Sequence, residues 1–311
     1  MFDFDMPPLD WRISRIPKKH KPGEFRKLTI PNDELKKVQK QILHYLYTVK
    51  DLRASGFAHG FVPFRNTCTG LARHPRNADL LVCMDVESFF DNFPVDTLEP
   101  VLVKGGVSRQ LAKKIVTACT YNNTLPQGGP CSPHLTNLGM VDVDRMIASF
   151  ARKHGFEYSR YADDMTFSIN FAESGKKPRK SYDFLIKGVD LILSTHVNLH
   201  LNKKKTHVIR MHGSSKPQVT GIIIRQDGQG YNAPRKLRRN IRAAAFNLMM
   251  EVRDAGGRPT SAMHMKWRQI CGYVRYFDNI RSHGDGEAAS ADPVISEKVW
   301  DELSDAFTRK R

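Results

Sequence analysis

The sequence contains no apolar run approaching the length of a bilayer-spanning helix, so no helical membrane segment is expected. It also lacks a basic stretch followed by an apolar one at Met1-Phe2-Asp3-Phe4-Asp5, so no secretory signal is read there. Cysteine is scarce. Cys68, Cys83, Cys119, Cys131 and Cys271 are scattered, odd in number and never spaced Cys-x-x-Cys. That argues against a disulfide framework and a zinc site, and for a reducing cytoplasm. There are no internal repeats and no long low-complexity tract.

Acid is the other deficit. Lys and Arg number 49 against 32 Asp and Glu, a formal net charge of +17. An excess this large points to a polyanionic partner. From Leu201 to Met250 there are 11 Lys or Arg and one acid, Asp227; from Arg12 to Lys27 there are 7 and one acid, Glu24. The acids of interest lie between these blocks. Basic flanks around a small acidic focus suit an enzyme that binds backbone phosphates and uses metal ions.

Residues 1–24 are rich in Pro and Lys and read as an irregular lead-in. Arg26–Ile30 reads as a strand closed by Pro31, and Asp33 as the cap of a helix over Glu34–Lys50. Leu80–Val86 is a buried apolar strand with Asp85 at its exit. Val95–Lys104 and Ser108–Ala118 read as helices, Leu125–Pro133 as a Gly/Pro-broken loop, and His134–Lys153 as one helix. Phe156–Tyr161 and Met165–Ile169 read as strands joined by a tight turn, Ala162-Asp163-Asp164. Helices are expected over Ser181–Thr195, Pro234–Ala255, Ala262–Asn279 and 297–308, and a strand over Val219–Arg225. The irregular alternation of strands and helices fits an α+β core followed by a helical C-terminal region better than one doubly wound sheet.

Adjacent carboxylates at a tight turn repel, and one moves toward its protonated form unless a cation lies between them. Asp163-Asp164 alone is compatible with an ordinary turn. With Asp85 on another strand, the three make a candidate two-metal site. Oxygen ligands favour Mg²⁺, and a metal pair about 4 Å apart can activate a 3′ hydroxyl and stabilise leaving pyrophosphate.

Four motifs in sequence order carry a resemblance. Tyr161-Ala162-Asp163-Asp164 resembles the Tyr-x-Asp-Asp signature of reverse transcriptases, and Asp85-Val86-Glu87-Ser88-Phe89-Phe90 their Asp-x-x-x-Phe-Phe motif. Leu125-Pro126-Gln127-Gly128 with Ser132-Pro133 resembles their Leu-Pro-Gln-Gly loop. Asn202-Lys203-Lys204-Lys205-Thr206 resembles the following motif. Val219-Thr220-Gly221 resembles the signature of the retron type. Retron enzymes carry Asn-Ala-x-x-His before the first catalytic strand; here Gly70-Leu71-Ala72-Arg73-His74 keeps only the histidine. That departure leaves open a related bacterial defence-type or group II intron-like enzyme.

The resemblance implies a right-hand polymerase of fingers, palm and thumb: 25–80 and 106–135 mainly fingers, 81–105 and 136–230 mainly palm, 231–311 a helical, RNA-binding thumb. It implies Asp85, Asp163 and Asp164 as catalytic carboxylates. They would hold two Mg²⁺ ions (or Mn²⁺) with the carbonyl of Val86. Arg26, Lys27, Phe90, Gln127, Gly128 and Lys205 would bind nucleotide, with Phe90 excluding a ribose 2′ hydroxyl. Phe90 as a core aromatic and Lys205 as part of a solvated lysine run stay open. His74, Val219, Thr220, Gly221, Arg235, Lys236, Arg238, Arg239 and Arg242 would contact RNA or DNA. The implied partners are a cognate noncoding RNA and its DNA product, deoxynucleotides, a separate effector protein and host RNase H, with no membrane. The implied product is branched RNA–DNA made from a 2′-hydroxyl primer in antiphage defence. An RNA-dependent RNA polymerase, an untemplated DNA polymerase and a non-catalytic basic RNA-binding scaffold remain alternatives.

Overall fold

The computed structural model describes residues 2–17, 23–75, 77–175, 181–211, 217–224, 231–282 and 294–308. The chain forms two compact units, Met1–Ile209 and Arg210–Arg311.

The first unit opens with a hairpin. The irregular lead-in expected over 1–24 is corrected here: β1 (Trp11–Pro17) pairs antiparallel with β2 (Phe25–Pro31), from Trp11↔Pro31 to Pro17↔Phe25. The lysines after Pro17 mask a strand whose partner lies a few residues beyond them. Helix α1 (Asp33–Thr48) follows. Its cap is Asn32, not Asp33: the Asn32 side chain accepts from the Leu35 amide at 2.8 Å. Asp33 and Glu34 instead sit in the first turn, where the helix dipole favours them.

A short helix α2 (Thr67–Leu71) leads into β3 (Leu80–Asp85). After a 3₁₀ turn at Val95–Thr97 come α3 (Leu98–Lys104) and α4 (Arg109–Cys119). The helix expected over His134–Lys153 divides at Met140 into α5 (Ser132–Gly139) and α6 (Val141–Lys153). A side chain at Gly139 would meet Phe93 Cζ at 2.4 Å, so the break sits where the Phe93 ring needs room. Strands β4 (Glu157–Tyr161) and β5 (Asp164–Ile169) form the expected hairpin. Then come α7 (Phe171–Ser174), α8 (Ser181–Val197) and β6 (His207–Arg210), whose last residue opens the second unit.

The central sheet runs β4-β5-β3-β6. Helix α6 packs on β4 and on α8. Between them lies the apolar core, with Val82, Met84, Tyr158, Met165, Phe167, Ile147, Leu185 and Leu193 all buried.

In the second unit β7 (Gln218–Val219), β8 (Ile222–Ile224) and β9 (Tyr231–Asn232) form a small antiparallel sheet. The single strand expected over Val219–Arg225 is broken by Thr220 (φ 46°) and Gly221 (φ 86°), which no continuous strand accommodates; Arg225 lies outside the described residues. Helices α9 (Arg235–Asp254), α10 (Ser261–Ser282) and α11 (Glu297–Thr308) follow, burying Ile241, Leu248, Trp267, Phe277 and Leu303. Among the described residues, no helix is long and apolar enough to cross a membrane. All five cysteines are free thiols.

Candidate active site

The strand β3 is apolar up to its last residue, so burial carries Asp85 to the edge of the core. The register then sets its neighbours. Asp85 pairs with Asp164 across β3 and β5, and Tyr161 pairs with Asp164 across the hairpin. Asp163 falls in the turn, after Ala162 with φ 57°. The exit of β3 is pinned on both sides by main chain. The Val86 amide donates to the Asp163 carbonyl at 3.1 Å, the Asn202 amide to the Asp85 carbonyl at 2.7 Å, and the Glu87 amide to the His200 carbonyl at 2.9 Å.

Asn202 also builds the turn that delivers a lysine. Its carbonyl accepts from the Lys205 and Thr206 amides, each at 3.0 Å, and its side chain from the Lys204 amide at 3.2 Å. Lys205 Nζ then donates to Asp85 Oδ2 at 2.8 Å. This bond, more than any other influence, raises the Lys205 pKa.

The carboxylates share one electrostatic environment. Burial pushes the Asp164 pKa up to about 6, with Asp163 and Asp85 adding to the rise and Lys205 and His207 opposing it. Asp163 is raised for the same first reason and by Asp85, while Lys205 and Arg26 draw it down. Among the described residues, no three His, Cys, Asp or Glu side chains close on one point as a finished metal cage. The donor chemistry nevertheless suits a hard divalent cation, because oxygen ligands that repel one another are relieved by positive charge between them. The Lys205 ammonium, bonded to Asp85, supplies part of that positive charge.

Of the residues expected around the nucleotide, Lys205 and Arg26 act on these carboxylates, and the others gather about Asp91, β2 and Phe89. Arg26 on β2 is, after Lys205, the second cation felt by Asp163. Its neighbour Lys27 acts on Asp91, whose pKa burial raises. Gln127 Nε2 reaches Asp91 Oδ2 over a long 3.4 Å. A Cβ at Gly128 would lie 2.7 Å from the Thr29 carbonyl, so glycine lets this loop lie directly on β2. Phe90 is half-buried, edge-on to Phe89 at 5.5 Å. It is therefore neither a full core residue nor a free one.

Sequence reasoning missed the group that holds the turn. Asp144 on α6 is fully buried and accepts from Arg160 Nε at 2.9 Å, Arg160 Nη2 at 2.8 Å, the Tyr158 hydroxyl at 2.9 Å and Ser55 Oγ at 2.5 Å. Arg160 Nη1 donates to the Ala162 carbonyl at 3.0 Å. Burial alone would lower the Arg160 pKa, but the Asp144 carboxylate outweighs it and keeps the guanidinium charged. The available signal was a carboxylate on the apolar face of α6, beside Val143, Ile147 and Ala148.

His74 is a correction. It was expected to contact nucleic acid, but it is buried, with Nδ1 2.7 Å from Ser168 Oγ and Nε2 2.8 Å from Ser159 Oγ. It ties β4 to β5 from behind, and burial drives its pKa down to about 3. Gly70, which departs from the retron pattern, packs beside His59: a Cβ there would be 3.4 Å from that ring, an ordinary contact.

In the second unit the Val219 side chain is buried, and Thr220 and Gly221 form the turn after it. Arg235, Lys236, Arg239 and Arg242 are exposed on α9 and Arg238 is half-buried. Arg242 Nε is engaged by the Val294 carbonyl at 2.9 Å.

Residues 16–224 match the family described as reverse transcriptase (RNA-dependent DNA polymerase), and the chain belongs to that family. Within it, retron enzymes are among the chain's relatives. The chain is 32% identical over 238 residues to the retron Ec86 reverse transcriptase of Escherichia coli, covering 76% of this chain and 70% of that one. It is 30% identical over 257 residues to the retron Mx162 reverse transcriptase of Myxococcus xanthus, covering 75% of this chain; it spans only 51% of that relative's length. The fold is similar to that of telomerase from Candida albicans, solved in complex with a TWJ fragment of telomeric RNA. The TM-score is 0.50 at 11% identity, over 95% of this chain and 63% of that one.

Proposed function

We propose that this chain is a retron-type RNA-directed DNA polymerase whose reaction centre is Asp85, Asp163 and Asp164. The observation that carries the reading is the β3–β5 register, which sets Asp85 beside Asp164 and brings the Asp163 turn onto Val86. Two Mg²⁺ ions, or Mn²⁺, bound by these carboxylates and the Val86 carbonyl would supply charge for the attacking and leaving oxygens. In the reaction a primer hydroxyl oxygen bonds to the α-phosphorus of a deoxynucleotide as the bond to pyrophosphate breaks.

The protein's own groups position the reactants. Arg26 forks onto triphosphate oxygens and Lys27 assists it. Lys205, already bonded to a reaction-centre carboxylate, offers a proton or positive charge to pyrophosphate. Gln127 contacts the incoming nucleotide, and Gly128 lets the template approach the loop. Phe90 presents its half-buried ring to the sugar and excludes a 2′ hydroxyl. In right-hand terms 25–80 and 106–135 are mainly fingers and 81–105 and 136–230 mainly palm. Residues 231–311 are the thumb; its Arg235, Lys236, Arg238, Arg239 and Arg242, together with Val219, Thr220 and Gly221 of the palm, face RNA.

The template in this reading is a cognate noncoding RNA, primed from one of its 2′ hydroxyls to give branched RNA–DNA. The setting is the cytoplasm, in antiphage defence with a separate effector protein and host RNase H. The test is the nucleic acid that co-purifies with the protein. A branched RNA–DNA species that disappears in the Asp163→Asn, Asp164→Asn double variant supports the reading. Plain RNA without covalent DNA in the unaltered protein overturns it.

A further inference from the structure

The segment Gly60–Asn66 combines firm anchoring with costly exposure. A Cβ at Gly60 would fall 2.5 Å from the Ala162 amide nitrogen, so the segment starts against the turn that carries Asp163. The Gly60 carbonyl accepts from Asn137 Nδ2 at 2.9 Å. At the other end Arg65 Nη1 donates to the carbonyls of Ser55 and Ala58 at 2.6 and 2.7 Å, and Asn66 caps α2 in a reciprocal pair with Thr69. Between these anchors stand two aromatics in left-handed backbone, Phe61 (φ 56°) and Phe64 (φ 63°). Phe64 is 103% exposed and Phe61 52%.

Both features oppose folding. A bulky residue in the left-handed region is strained, and a phenylalanine held wholly in water gains nothing from burial. Glycine would relieve the first cost and any polar residue the second. Strain of this kind persists at sites of function. The place of the loop indicates which function: the Phe61 ring lies 6.5 Å from the ring of Tyr161, two residues before Asp163.

We infer that Phe64, with Phe61 beside it, is a stacking platform for the unpaired template base just ahead of the growing 3′ end. The inference rests on the polymerase reading above. Aromatic rings exposed on a basic protein stack on base faces with little regard to sequence. Within a duplex those faces are covered by neighbouring pairs. Next to a primer terminus, the uncovered faces belong to the template strand beyond it. A rigid loop anchored to the reaction-centre turn holds such a base at a fixed distance from the carboxylates.

The experiment measures binding by fluorescence anisotropy, without turnover, of two DNA-primed RNA duplexes. One is blunt and the other carries a 5′ single-stranded template extension. The proteins are the full chain and its Phe64→Ala, Phe64→Gly and Phe64→Trp variants. For the extended duplex, Phe64→Ala and Phe64→Gly are expected to bind about tenfold more weakly, as loss of one stacked base implies. Phe64→Trp should stay near the original affinity, and all should bind the blunt duplex alike. Phe64→Gly should also melt no lower than the unaltered protein, since it removes the strain. Equal binding of the extended duplex by all variants overturns the inference. So does an equal loss on both duplexes, or a lowered melting temperature in Phe64→Gly that accounts for its weaker binding. Deoxynucleotide incorporation by the unaltered protein is scored separately. Its absence counts against the polymerase reading, while the duplex comparison still decides the role of Phe64.

Discussion

Arg160 grips Asp144 with two of its nitrogens and the Ala162 carbonyl with the third, so one buried ion pair fixes the turn that presents Asp163. Breaking one side of such a pair leaves the other charge buried without a partner. Asp144→Asn or Arg160→Met is therefore expected to destabilise the first unit by about 3–5 kcal/mol. The double variant should cost less than the sum of the two. Urea unfolding of the four proteins in a double-mutant cycle measures this. Additive losses would show that the two side chains do not act as a unit.

The buried carboxylates Asp163 and Asp164 oppose the fold that holds them. The Asp164 pKa is raised to about 6 from an ordinary 3.8, chiefly by burial. The folded protein thus binds this proton more tightly than the unfolded chain, and stability falls as pH rises from about 3.8 through 6. Asp164→Asn removes that loss, so at neutral pH it should raise the melting temperature of metal-free protein while lowering activity. A melting temperature equal to or below that of the unaltered protein contradicts the electrostatic account.

Histidine burial sets the opposite slope. Burial lowers His74 to about 3, and His59 and His134 each to about 4. For a histidine depressed below 6.5, the unfolded state binds more protons. Stability is complete above about pH 6.5 and declines as pH falls toward 4. Urea midpoints at pH 7.5 and pH 5 should show the decline, and His74→Leu should make it shallower. His74→Leu should also be weaker at pH 7.5, because Ser159 and Ser168 lose their shared partner. An unchanged slope would remove His74 from the explanation.

Gly128 tests the close approach of its loop to β2. A Cβ there meets the Thr29 carbonyl at 2.7 Å, and main chain cannot swing aside as a flexible side chain can. Gly128→Ala should cost about 1–3 kcal/mol and displace Gln127 from its place beside Asp91. In kinetics the expected signature is a raised KM for deoxynucleotides. A variant with unchanged stability and KM would mean that the loop has room to move.

Phe90→Ala tests sugar discrimination. Relative use of ribonucleotides should rise by about 10- to 100-fold, the range a lost steric contact supplies. Competition between a ribonucleotide and its deoxynucleotide in single-addition assays gives the ratio. No change would assign Phe90 to packing against Phe89 alone.

The sequence by itself determined what local chemistry can write. The apolar run of β3 ending in Asp85 and the strands around Asp163-Asp164 are contiguous patterns and form close to where they were read, while the loop at Gln127 gives way to α5 at Ser132, two residues before its expected end. Tertiary structure decided what depends on residues far apart in the chain. Asp144 and Arg160 become an ion pair only once α6 lies on β4, and β1 becomes a strand only by pairing with β2. His74 kept its place in a motif, yet burial between Ser159 and Ser168 made it a brace rather than a contact. The three aspartates follow the same division. Their identity is local, but their mutual repulsion, the hold of Lys205 and the exposed aromatics beside them arise from strand register and loop packing, which no single segment encodes.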